Sequence, residues 1–166
     1  MPYGYDSIEH EETRKEKGFE LLKEFYEKNS NPWIVPAYLE KPFNIKVGEH
    51  LINGRIDRID KLADGSYEVI DYKTGRFREN MKLDKDLQLS IYALACRDIL
   101  KLPVSKLSLY YLESNQKIST SRNDQDLENL DKEILELIQQ MQSSQFNPKP
   151  GFHCGFCDFK PICPAQ

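Results

Sequence analysis

Nothing in this 166-residue chain resembles a membrane anchor or an export signal. No run approaches the roughly 18 uncharged apolar residues that mark a bilayer-spanning helix, so no membrane association is expected. The first residues, Met-Pro-Tyr-Gly-Tyr-Asp, lack the basic segment followed by an apolar one that marks a secretory leader, and a cytoplasmic setting is expected. Excess positive charge is missing too. With 23 Lys and Arg against 27 Asp and Glu, the formal net charge of −4 argues against coating nucleic acid through bulk charge. Cysteine is scarce and uneven. Cys96 stands alone and the other three fall in the last thirteen residues, unlike the spread of a secreted disulfide scaffold. There is no internal repeat and no low-complexity run.

What is present suits one domain over residues 1–166, with a cysteine-containing tail at 146–166: 39% hydrophobic residues, 9 Tyr and 8 Phe can fill a core. Phe19, Leu22, Phe25 and Tyr26 recur at helical spacing within about Ser7 to Asn29, and Asn31-Pro32 ends that helix. Strand patterns follow from about Ala37 to Val47, His50 to Leu62 and Tyr67 to Lys73, with Asp64-Gly65 as a hairpin signal. A helix is predicted from about Asp84 to Leu100, strands over Val104–Glu113 and Gln116–Ser121, and a last amphipathic helix over Asn123–Gln142.

The most informative stretch is Gly54-Arg-Ile-Asp-Arg-Ile-Asp60, followed by Val69-Ile-Asp-Tyr-Lys-Thr-Gly75. Residues two apart in a strand point the same way, so Asp71 and Lys73 share a face and can both reach one phosphate. Asp-x-Lys alone is a weak signal, since exposed hairpins carry such pairs as ordinary surface charge. Asp57 is the natural second carboxylate, and the hairpin decides whether it can serve. A two-residue Asp64-Gly65 loop pairs Asp57 with Tyr72, on the wrong face. A three-residue Ala63-Asp64-Gly65 loop with Gly65 left-handed pairs Asp57 with Asp71. Two carboxylates so close repel unless a cation lies between them, and an oxygen-rich site suits Mg²⁺ or Mn²⁺. Further along, Gln88 and Tyr92 are four apart and therefore share a helical face. Lys73, Arg76, Arg78, Lys82 and Lys85 form the one basic stretch able to meet a polyanion locally, with a solvated loop as the competing reading.

Gly54-x-x-Asp57, Asp71-Tyr-Lys-Thr-Gly75 and Gln88-x-x-x-Tyr92 together resemble the RecB-like branch of the PD-(D/E)xK nucleases, over about Glu40 to Cys163. That branch includes the nuclease domains of RecB and AddB, CRISPR-associated RecB-like exonucleases, and domains fused to UvrD-like helicases. The resemblance implies an α/β, restriction-endonuclease-like core, a central mixed β-sheet flanked by helices. It implies DNA as substrate, cut at ends or in single strands in repair or recombination, and a fused or associated helicase as partner. It gives Asp57, Asp71 and the Tyr72 carbonyl as ligands of Mg²⁺ or Mn²⁺, Lys73 as catalytic, and Gln88 and Tyr92 as the last motif. Glu40 stands where relatives often carry a supporting Glu. Relatives also supply a His ligand from an upstream helix; His10 is the only upstream His here.

The C-terminal knuckle, Cys154-x2-Cys157-x5-Cys163, has the spacing of the iron–sulfur members of that branch, where a fourth Cys completes a [4Fe–4S] cluster. The three are expected to lie close together, with the fourth ligand missing from this chain. Cys96 is a poor candidate and fits better as a small buried residue. His153 opens a Cys₃His zinc alternative. Two other functions compete with a nuclease: a catalytically impaired nuclease-fold DNA-binding module, and a zinc-type interaction domain centred on the tail.

Overall fold

The computed structural model describes residues 4–165, which divide into two compact units between Asp131 and Lys132. The first unit begins with helix α1 (Ile8–Asn29), capped by Ser7, whose side chain accepts the His10 N–H. Five strands follow: β1 (Tyr38–Val47), β2 (His50–Lys61), β3 (Tyr67–Lys73), β4 (Val104–Tyr111) and β5 (Gln116–Thr120). They form one sheet in sequence order, antiparallel except for the parallel β3–β4 pair. That single parallel pair needs a crossover, and helix α2 (Leu87–Ala95) supplies it. The result is the mixed sheet with flanking helices expected of a restriction-endonuclease-like core.

The β2–β3 hairpin takes the odd-length loop. Leu62 N–H donates to the Ser66 carbonyl at 2.8 Å, and Gly65 has φ 87°, a conformation that a side chain disfavours. The ladder runs Lys61 with Tyr67 through Arg58 with Ile70, a register that, continued one step, sets Asp57 against Asp71. Beside it β1 is irregular. Pairing passes from Leu39↔Arg58 to Lys41↔Ile56, and Glu40 between them has φ 47°.

The central strands β3 and β4 are buried from both faces, whereas alternate residues of β1 stay exposed. Leu89, Leu94 and Ala95 of α2 are fully enclosed, as are Ile59, Val69, Leu107 and Leu109. α1 packs more lightly, through Phe25, whose ring meets Tyr72 and Tyr110 edge-on at 5.8 and 5.3 Å. No α1 residue is fully buried.

The helix predicted over Asp84–Leu100 is interrupted at both ends. A 3₁₀ turn covers Leu83–Lys85, and Asp86, extended at ψ 112°, is the true cap: its carboxylate accepts the Leu89 N–H at 2.9 Å. From Cys96 to Leu100 the turn widens into a π-helix and ends at Lys101, which is left-handed at φ 55°, two residues before Pro103. Helix α3 (Asp124–Ser143) runs across the boundary between the units, burying Leu127 and Leu130 in its first turns. The second unit ends in two short 3₁₀ turns, Phe152–Phe156 and Lys160–Ile162. Among the described residues no helix is long and apolar enough to cross a membrane.

Candidate active site

Alternation along β3 sorts its side chains between the two helices. Tyr72 faces α1, where its hydroxyl accepts from Arg58 at 3.2 Å. Asp71 and Lys73 face α2. Asp57 joins them from β2, its Oδ2 accepting the Tyr72 main-chain N–H at 2.9 Å. From α2, Gln88 donates through Nε2 to Asp71 Oδ1 at 2.9 Å and to the Tyr92 hydroxyl at 2.8 Å, while its Oε1 accepts from Lys73 Nζ at 2.6 Å. The Tyr92 hydroxyl donates to the Arg55 carbonyl at 3.0 Å and lies 3.5 Å from Asp71 Oδ1. Thus Asp57, Asp71, Lys73, Gln88 and Tyr92 form one continuous polar cluster.

Asp71 is 3% exposed. Its Oδ2 is buried and meets no donor along a hydrogen-bond direction, although the Lys73 ammonium lies 2.6 Å away as an ion pair. Burial raises its carboxyl above the ordinary Asp value; Lys73 opposes that shift, and the charges of Asp57 and Asp86 add to it. Burial also raises the Tyr92 phenol, reinforced by Asp71 and Asp57, so Tyr92 remains a neutral donor. A buried carboxylate with a free lone pair beside a second carboxylate is a fitting place for a hard cation. The Lys73 ammonium supplies part of that positive charge by itself.

The remaining expected ligands do not converge. Among the described residues no group of three or more His, Cys, Asp and Glu side chains is placed to hold a metal ion. His10 is engaged on its own helix, 3.2 Å from both the Asp6 carboxylate and Arg14 Nε. Glu40 is exposed and pairs with Arg55 at 3.6 Å. Cys154, Cys157 and Cys163 are free thiols and, among the described residues, belong to no group placed to hold a metal ion; Cys154 Sγ accepts the Gly151 N–H at 3.3 Å. His153 packs its ring edge-on against Phe152. As placed, they form no group that holds a [4Fe–4S] cluster or a Cys₃His zinc ion among the described residues. Cys96 is fully buried, its thiol pushed up to about 12 by desolvation, and acts as core.

Three supports had no role assigned from the sequence, although Gly54 stands in its motif. Arg58 and Asp60 form a buried pair at 2.7 Å, and Arg58 also donates to the Ile34 carbonyl at 3.1 Å. Their i, i+2 spacing is the signal used for Asp71 and Lys73. Arg122 holds the entry to α2, donating to Ser90 Oγ at 2.8 Å and to the Leu83 carbonyl at 2.7 Å. Gly54 lets the Phe43 ring lie across β2; a Cβ there would come 2.5 Å from Phe43 Cζ. That ring meets Tyr92 edge-on at 5.9 Å. The basic residues Arg76, Arg78, Lys82 and Lys85 are exposed in the loop after Lys73.

The profile of the PD-(D/E)XK nuclease superfamily matches residues 5–164. The chain belongs to that superfamily, a class of nucleases that generally use divalent metals. Comparison with curated proteins finds no match. A solved structure described as "Crystal structure of SSO0001" is similar at 24% identity over 77% of this chain, with a TM-score of 0.46. The chain spans 59% of the length of that structure.

Proposed function

We propose that this protein is a divalent-metal-dependent DNA nuclease that hydrolyses phosphodiester bonds at the Asp57–Asp71–Lys73 cluster. The observation that carries the reading is the buried Asp71 carboxylate, held near a second carboxylate with the Lys73 ammonium at 2.6 Å as its counter-charge. Asp57, Asp71 and the Tyr72 carbonyl would hold Mg²⁺ or Mn²⁺. When bound, such an ion lowers the pKa of water and stabilises charge on the leaving oxygen.

The protein's own residues do the rest. Asp57 is oriented by the Tyr72 N–H and Asp71 by Gln88, so both carboxylates are fixed before substrate arrives. Lys73, about one-third exposed, can turn from Asp71 toward a non-bridging phosphate oxygen or the attacking water. Water oxygen bonds to phosphorus and gives up a proton to solvent as the P–O ester bond breaks, and the departing oxygen takes a proton from solvent. Arg76, Arg78, Lys82 and Lys85 offer charge for flanking phosphates. The end-directed mode, a role in repair or recombination, and a fused or associated helicase extend this proposal, and the RecB-like motif set supports them.

The shortage of a third side-chain ligand favours one alternative, a nuclease-fold DNA-binding module without cleavage. Labelled oligonucleotides and plasmid, incubated with Mg²⁺, Mn²⁺ or EDTA and compared with Asp71→Ala, decide between them. Cation-dependent cutting lost in the variant supports the nuclease; DNA binding without cutting under either cation supports the module.

A further inference from the structure

We propose that the groove between β1–β2 and the open side of α2 receives a nucleobase of the strand being cut. This rests on the nuclease reading and adds a substrate subsite to it. The groove holds about 460 Å³, within the roughly 300–1,000 Å³ typical of ligand sites. Ile52 and Gly54 form one wall, Leu87 and Ile91 the other, and the edge of Phe43 lies at its base.

The groove exists because Gly54 has no side chain. Phe43 occupies the space that a Cβ would need, and the strand surface stays low. Across from it α2 carries two adjacent stripes at i, i+4 spacing. Gln88 and Tyr92 turn toward Asp71, while Leu87 and Ile91 line the groove. Leu87 remains 36% exposed, an apolar surface that the fold leaves uncovered.

Chemistry and position select the occupant. No ionisable side chain other than the Tyr92 phenol lines the groove, so a phosphate finds no cation there. A flat, neutral base finds aliphatic walls and the edge of the Phe43 ring. Gln88 and Tyr92 line the groove and also touch Asp71, so whatever occupies it lies against the reacting centre. That continuity favours substrate over a protein partner. A base within a duplex must first unstack to enter, and a single strand avoids most of that cost.

The test uses the full chain. Asp71→Asn protein is mixed with a single-stranded oligonucleotide carrying 4-thiothymidine and irradiated, and the crosslinked peptides are mapped. Crosslinks within 52–54 or 87–91, lost in Leu87→Gln and Ile91→Gln, support the proposal; crosslinks elsewhere, or none, overturn it. Thermal melting confirms that the variants fold, and Leu87, exposed at the first turn of α2, is the safer of the two. In the wild-type background, Leu87→Gln should lower kcat/KM on single strands by at least about fivefold, the scale of one base contact. It should change little on an oligonucleotide abasic next to the cut. Cleavage by wild type with no groove crosslink sinks the subsite alone. Groove crosslinks without cleavage sink the nuclease reading and leave base binding standing. A dimer that Leu87→Gln dissolves would make a second copy the occupant and overturn the proposal.

Discussion

Replacing Asp71 by Asn should separate stability from activity. The substitution keeps the shape and removes one charge from a carboxylate that is 3% exposed and sits near Asp57 and Asp86. Burial, the largest influence on Asp71, raises its carboxyl above the ordinary value. A raised folded-state pKa means that the folded protein holds the proton more tightly than the unfolded chain. The stability from this group is therefore fully present below the unfolded value of 3.8 and is lost as pH rises through the higher folded value. At neutral pH the metal-free wild type carries that cost and Asp71→Asn does not. The variant loses the Lys73 ion pair, but the ammonium can turn to water, and such pairs contribute about 0–1 kcal/mol. Gln88 Nε2 still finds an acceptor in the Asn carbonyl. Metal-free Asp71→Asn should match the wild type or exceed it by up to about 1 kcal/mol, roughly 2–4 °C in Tm.

The cation reverses the comparison. At a hundred times its Kd, a ligand that binds only the folded state adds about 2.7 kcal/mol. Wild type should thus rise by roughly 5–10 °C with Mg²⁺ or Mn²⁺, and Asp71→Asn should not respond. Losing several kcal/mol of transition-state stabilisation, at 1.36 kcal/mol per factor of ten, should lower cleavage by about 10³-fold or more. Paired melts with EDTA or Mn²⁺, together with an oligonucleotide assay, check all three statements. A variant that melts well below wild type in EDTA, or that keeps the cation shift, would refute the reasoning.

Tyr92→Phe keeps the ring against Phe43 and removes the hydroxyl between Gln88 and Arg55; turnover should fall about tenfold with stability changed by about 1 kcal/mol, read from kcat and urea midpoints. Gly54→Ala forces Phe43 aside and should cost about 1–3 kcal/mol, with slower cutting as Tyr92 shifts. Asp60→Ala leaves Arg58 buried without its carboxylate and should cost about 3–5 kcal/mol; a loss below 1 kcal/mol would mean that the pair is already hydrated.

The sequence placed the elements well where local chemistry is strong. Ser7, Asn31-Pro32 and the Gly65 turn bound α1 and the hairpin, and period-two alternation put Asp71 and Lys73 on one face. Even the odd loop length followed from requiring Asp57 to meet Asp71. The interruptions around α2 were not legible: Asp84 and Asp86 are equivalent caps on paper, and only the long-range Arg122 contacts with Leu83 and Asp86 favour the second. For the tail, cysteine spacing states which thiols could converge; among the described residues they form no metal-holding group.

Strand β3 carries two buried carboxylates on opposite faces, and the contrast between them separates architecture from function. Glu68, on the α1 face, is as buried as Asp71. Burial alone would raise its carboxyl, but bonds from Ser108 at 2.5 Å and Lys117 at 2.9 Å, with the Lys117 and Lys106 charges, hold it below the ordinary value. Its stability is present above the unfolded value of 4.5 and lost as pH falls through the lower folded value, opposite in sign to Asp71. Satisfied on every side, Glu68 is a structural acid. Asp71 has Lys73 as its one ion-pair partner, and burial with the Asp57 and Asp86 charges still holds its carboxyl above the ordinary value, the arrangement expected where a ligand completes the site. Urea midpoints between pH 3 and 6 should therefore drop steeply in wild type and less steeply in Glu68→Gln, whereas Asp71→Asn should keep the full acid-side drop. If Glu68→Gln and wild type lose stability in parallel, the Glu68 network does not hold its charge in the folded state, and the distinction between the two acids fails.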